Sequence, residues 1–143
     1  MSATRRRFLE IVGGAAAASV HACSGSAAPI GDVAAGNVSA LPVGTLEAVE
    51  SDPVCIARDG SGVYAMTLTC THAGCNIGQG GTLTPTLLTC PCHGSEFDGN
   101  GNVVRGPAAS PLVHYAVSVD ATGNLTIHGG TEVDETTRLA ISM

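Results

Sequence analysis

The chain has 143 residues and a mass of 14.2 kDa, room for one domain of ordinary size and a processed end, which excludes a multidomain enzyme. Its 19 Gly, 3% aromatic content and lack of Trp exclude a helical core built on large side chains, and point to a turn-rich fold whose small core needs reinforcement. Six Cys are the candidates for that role, and every cationic residue is Arg, with three in a row at Arg5, Arg6 and Arg7.

From the N-terminus, Thr4-Arg5-Arg6-Arg7-Phe8-Leu9-Glu10 leads into an uncharged run rich in Ala and Gly from Ile11 to Val20, then His21-Ala22-Cys23. The run is about half of the roughly 20 apolar residues that a membrane span needs, so a spanning anchor is not expected. The pattern resembles a twin-arginine export signal with Arg5 and Arg6 as the pair, and we assign residues 1–22 to it. Val20-His21-Ala22-Cys23-Ser24 also resembles a bacterial lipoprotein cleavage site, with Cys23 as the lipidation candidate; cleavage near Ala22 and retention of the segment are the alternatives. Such a protein is exported across the bacterial cytoplasmic membrane, to be periplasmic or tethered to the membrane by lipid. Without residues 1–22, three Arg face eleven Asp plus Glu, a net charge of −8. That balance excludes nucleic acid as a partner and favours a positively charged partner protein.

Residues 23–40 read as a linker rich in Ala, Gly, Ser and Val. Val54 to Arg58 and Val63 to Thr69 flank the turn Asp59-Gly60-Ser61-Gly62 and predict a hairpin. A short strand is expected over Asn102 to Arg105 after the turn Asp98-Gly99-Asn100-Gly101. Leu112 to Val119 alternates, with Val113, Tyr115, Val117 and Val119 on one side, and Leu125 to His128 follows the turn over 120–124. No segment after residue 23 carries a helical period, so the fold class is all-β, a small antiparallel sandwich or barrel. Residues 129–143 show no periodicity and read as a loose tail. Tyr64 is expected in the core, Cys55 as a buried structural thiol rather than a disulfide partner of Cys23, and His114 and His128 as surface or satisfied histidines.

Two clusters stand apart: Cys70-Thr71-His72-Ala73-Gly74-Cys75 and Cys90-Pro91-Cys92-His93-Gly94-Ser95. One thiolate and one imidazole from each complete a set of four ligands for zinc or for iron-sulfur chemistry, with a second Cys of each cluster left over. Zinc-finger spacing keeps Cys with Cys and His with His, whereas each cluster here is mixed.

The signatures C-x-H-x-G-C and C-P-C-H-G-S are both intact, and on them the chain resembles the Rieske iron-sulfur family, in the branch with a disulfide. The resemblance covers about residues 41–128, with a cluster-binding subdomain over about 68–112. It implies one 2Fe-2S cluster, one iron held by Cys70 and Cys90 and the other by His72 and His93, and a disulfide between Cys75 and Cys92. Two ferric ions, two sulfides and two thiolates sum to zero charge, where four thiolates would leave two negative charges, so the site accepts an electron more readily than a plant-type ferredoxin does. Imidazole ligands also allow reduction to be coupled to proton uptake.

By the same resemblance Ser95 donates a hydrogen bond to a bridging sulfide. Phe97 stands where members from cytochrome bc complexes carry a Tyr that bonds a ligand sulfur, so Ser95 and Phe97 together look more like the small subunit of arsenite oxidase. An intermediate potential follows, below that of the bc-complex proteins. Gly106 and Pro107 open a segment, 106–111, that resembles the family's cluster-covering loop.

The implied function is electron transfer, as an exported one-electron carrier or a small electron-transfer subunit of an oxidoreductase. The partners would be a cytochrome or a larger oxidoreductase subunit, and a complete enzyme is less expected than such a subunit. The rivals are the Rieske subunit of a quinol:cytochrome c oxidoreductase and a non-redox zinc-binding or disulfide-bonded interaction domain. A terminal dioxygenase is excluded, because the chain has no room for a mononuclear iron domain.

Overall fold

The computed structural model describes residues 30–142, so the expected signal at 1–22, Cys23 and the start of the linker lie outside the described residues. Ten strands follow in chain order: β1 Asp32–Asn37, β2 Thr45–Ala48, β3 Val54–Asp59, β4 Gly62–Thr67, β5 Thr82–Leu83, β6 Leu87–Thr89, β7 Glu96–Asp98, β8 Val103–Arg105, β9 His114–Val119 and β10 Asn124–Val133. One 3-10 turn, Val38–Ala40, completes the secondary structure among the described residues, in keeping with the all-β expectation. Every pairing is antiparallel, in a six-stranded sheet of order β1-β10-β9-β4-β3-β2 and a four-stranded sheet of order β5-β6-β7-β8.

The expected hairpin is β3–β4, with Asp59 paired to Gly62 and its carboxylate accepting from the Ser61 and Gly62 N–H groups at 2.7 and 3.1 Å. Its side chains alternate with the period of two that a pleated strand imposes. Cys55, Ala57, Tyr64 and Met66 enter one core, which the four-stranded sheet completes with Leu88 and Phe97. Val54, Ile56, Val63 and Ala65 enter a second core with Val33, Leu41, Tyr115, Leu125 and Ile127. The larger sheet is therefore buried on both faces along β3 and β4. The smaller sheet lies in sequence between β4 and β9 and carries one of the two Cys/His clusters.

Two sequence expectations are corrected. The segment expected as linker contains β1, whose Val33 pairs with Ile127 and is 5% exposed. Small residues on either side of Val33 hide the alternation, and the strand forms because β10 supplies a partner for it. The segment expected as a loose tail continues β10 to Val133 and then returns across the molecule. Leu139 and Val63 exchange two backbone hydrogen bonds, at 2.9 and 2.8 Å, and Leu139 and Ile141 pack against the second core. Pairings this distant in sequence leave no local period to read.

Candidate metal centre

Each Cys/His cluster folds as a six-residue turn, and the two turns close in the same way. The Cys70 N–H donates to the Cys75 carbonyl at 2.8 Å and the Gly74 N–H to the Cys70 carbonyl at 2.9 Å. In the second, the Cys90 N–H donates to the Ser95 carbonyl at 2.8 Å and the Gly94 N–H to the Cys90 carbonyl at 3.1 Å. The fifth residue of each must take positive φ, +78° at Gly74 and +72° at Gly94, which only Gly adopts without strain. The sequence shows the two glycines, and the structure shows that they make one backbone device used twice.

Cys75 and Cys92 are joined in a disulfide that fastens the turns to each other. Three free thiols remain among the described residues, Cys55, Cys70 and Cys90, all buried. Cys55 donates to the Met66 carbonyl at 3.6 Å from the base sheet, and burial pushes its pKa up to about 12, the inert structural thiol expected. Cys70 and Cys90 are each 2% exposed, and the two thiols lie close enough for Cys90 to act on Cys70. Burial first, and then the neighbouring Cys90, raises the Cys70 pKa, so protons must leave when a metal is bound. The sulfurs of Cys75, Cys90 and Cys92 lie within 4.8 Å of one another, but the two disulfide sulfurs have no thiolate to offer, and that trio is not a ligand set.

His72 and His93 are exposed, with ring centroids 4.7 Å apart and planes at 84°. The folded tip thus gathers two inner sulfur donors and two outer imidazoles. That donor set, with the other cysteine of each turn consumed by the disulfide, fits a two-iron cluster with mixed ligation.

The 106–111 segment is tied to both turns. The Ala108 N–H donates to Ser95 Oγ at 2.9 Å, and Thr71 Oγ1 donates to the Ser110 carbonyl at 2.6 Å. Ser95 is fully buried, and its Oγ is engaged as acceptor by the Ala108 N–H. Phe97, also fully buried, pairs with Leu88 and Val103 beneath the turns. Gly106 and Pro107 are exposed at the rim. A group missed by sequence reading lies between the β3–β4 hairpin and the loop joining β7 to β8, where Arg138 reaches from the C-terminal segment to Asp59 at 2.7 Å, to Asn100 Oδ1 at 2.7 Å and over the Tyr64 ring at 3.8 Å.

An antiparallel β-domain presenting two disulfide-linked Cys/His turns is the form of a small iron-sulfur protein. The Rieske [2Fe-2S] domain family matches residues 30–116, more than half of the chain, and the chain belongs to that family, whose domain holds one 2Fe-2S cluster. It is 38% identical over 80 residues to the cytochrome b6-f complex iron-sulfur subunit of Synechococcus sp. (strain JA-2-3B'a(2-13)), a match covering 52% of this chain and 43% of that relative. The same subunit of Synechococcus sp. (strain CC9605) is 35% identical over 107 residues, covering 71% of this chain and 58% of the relative. The chain spans about half the length of the curated relatives it matches. Among solved structures it is similar to the plasma membrane Rieske protein PetC3 from Synechocystis PCC 6803, at 30% identity and a TM-score of 0.51, covering 66% of this chain and 97% of that one. A chain of the complex of reduced oxygenase and oxidized ferredoxin in carbazole 1,9a-dioxygenase matches at 27% identity and a TM-score of 0.53, over 72% and 97%. No helix among the described residues is long and apolar enough to cross a membrane.

Proposed function

We propose that the protein is an exported one-electron carrier, or a small electron-transfer subunit, that meets its partner through the tip formed by the two Cys/His turns. The observation that carries this reading is the arrangement of two buried neighbouring thiols, Cys70 and Cys90, behind two exposed imidazoles, His72 and His93. When bound there, a 2Fe-2S cluster supplies a one-electron couple raised by its imidazole ligands. The chain supplies the rest. Cys70 and Cys90 hold the sulfur side away from water, and His72 and His93 hold the side open to a partner. The Cys75–Cys92 bridge keeps the turns in register, and the buried Ser95 hydroxyl would donate to a bridging sulfide and stabilise the added negative charge. No general base or nucleophile is needed. The acidic chain favours a cationic partner surface, with an encounter rate that falls as salt rises.

The similarity to cytochrome b6-f iron-sulfur subunits supports a second reading, in which the domain serves a quinol-oxidising complex. Phe97, which offers no hydroxyl beneath the turns, weighs against it. Iron and acid-labile sulfide analysis of the purified protein tests the primary reading. Two irons and two sulfides per chain are expected, with loss of both in Cys70→Ser and in Cys90→Ser. Zinc in place of iron would overturn it. Co-purification of the tagged protein with cytochrome b from its own membranes would favour the second reading.

A further inference from the structure

His114 sits at the start of β9, paired with Met66 of β4 and Val133 of β10, and is 3% exposed. Its Nε2 lies 2.9 Å from the Asn100 carbonyl oxygen, an acceptor only, so Nε2 carries the proton and Nδ1 is a bare lone pair. That Nδ1 is buried without a hydrogen-bond partner, which is costly in a folded interior. The ring stacks on Tyr64 at 5.8 Å, and Arg138 lies on Tyr64 and on the same Asn100. A crevice of about 320 Å³ beside it is lined by Glu132, Asp134 and Glu135.

We propose that His114 is a proton-operated latch for the C-terminal strap 134–141, which neutral His114 holds closed and protonated His114 releases. A proton can arrive only at Nδ1, which has no acceptor in the closed structure, and the resulting imidazolium adds its charge near the Arg138 guanidinium of the strap. Withdrawal of the strap relieves both, by admitting water to Nδ1–H and by separating the two cations. The groups facing the imidazole are Tyr64 from β4, Glu132 from β10, Asp134, Glu135 and Arg138 from the strap, with Asp59 and Asp98 behind Arg138 and Tyr64. Burial lowers the His114 pKa, the Asn100 carbonyl opposes this, Arg138 lowers it further, and Glu135 and Asp134 pull it back up without restoring the ordinary value. A depressed imidazole pKa means that the open state takes up protons first, so opening is promoted as pH falls below about 6.5. Asp59, whose carboxyl is held below the ordinary carboxylate value, stays ionised through that range, so its own titration does not drive the opening.

Hydrogen exchange of the cluster-loaded protein between pH 7.5 and 5 tests this, read at the Val63 and Leu139 amides that bond across the strap and corrected for intrinsic rates. Their protection should fall about tenfold for each pH unit below about 6.5 until the folded-state pKa is reached. In His114→Gln, which keeps an N–H for the Asn100 carbonyl and cannot gain a charge, protection should not change with pH. A pH-independent wild type, or an equal slope in His114→Gln, overturns the proposal; the latter would assign the effect to the other histidines, which that variant retains. Should His114→Gln not fold, carbon-detected NMR of the wild type decides: the His114 ring and the strap amides must titrate with one midpoint, and a ring that titrates while the strap stays protected refutes the latch.

Discussion

In the six-stranded sheet, β3 and β4 each run for six residues and bury side chains on both faces, Cys55 and Met66 in one core, Ile56 and Ala65 in the other. In the four-stranded sheet no strand exceeds three residues, and beyond Leu88 and Phe97 little apolar area is enclosed. The base stands on burial, which is insensitive to small displacements. The tip stands on particular bonds: the disulfide, the two six-residue turns, and the ties from Thr71 and Ser95 to the 106–111 segment. Ligand placement demands such specific bonding, since a metal site tolerates only fractions of an ångström of drift.

Truncation of one large residue in each region breaks the comparison most forcefully. Phe97→Ala should cost about 3–5 kcal/mol in the tip, and Ile127→Ala about 2–5 kcal/mol in the base. Chemical denaturation followed by both iron absorbance and far-ultraviolet circular dichroism separates them. Phe97→Ala should lose iron before the sheet signal, whereas Ile127→Ala should lose both together. Removal of the bridge by joint Cys75→Ala and Cys92→Ala substitution should cost about 3 kcal/mol, for a closed loop with a sequence separation of 17, and should again strip iron first. Coincident transitions in these tip variants would show that tip and base are not held independently.

The smallest effect is expected where the C-terminal strap joins the two regions. Burial pushes the Asp59 carboxyl up, but hydrogen bonds from Arg138 and from the Ser61 and Gly62 amides outweigh it and hold the pKa below 3.8. A carboxylate with a depressed folded-state pKa contributes stability that is fully present above its unfolded value and is lost as pH falls through the folded one. Asp59→Asn should therefore lower stability at neutral pH and flatten its decline below about pH 3.8. Because the Asp59 side chain is 39% exposed, the contribution should be about 1 kcal/mol or less.

How far the sequence discloses these regions follows from what holds each together. The turns carrying Cys70, His72, Cys90 and His93 are dense in rare residue types at fixed spacing, so both are legible in the chain itself. The β3–β4 hairpin is legible too, because apolar β-formers flank a turn over Asp59 to Gly62. β1 and the strap are not. Val33 is surrounded by small residues, and the roles of Leu139 and Arg138 are made by Val63, Asp59 and Tyr64, about 75 residues or more away along the chain. His114 reads as an ordinary strand histidine until its Nδ1 is found buried without a partner. The sequence also conceals that Gly74 and Gly94 perform the same backbone task, because the histidines sit at different positions in the two turns.

The most direct measurement of the central claim is a redox titration of the cluster-loaded protein, followed by electron paramagnetic resonance at several pH values. The account predicts a reversible one-electron couple with a rhombic signal averaging below the free-electron value, and a midpoint within roughly −150 to +300 mV that falls at alkaline pH. A midpoint near −400 mV that does not move with pH would contradict imidazole ligation by His72 and His93, and a redox-silent protein containing zinc would contradict electron transfer altogether.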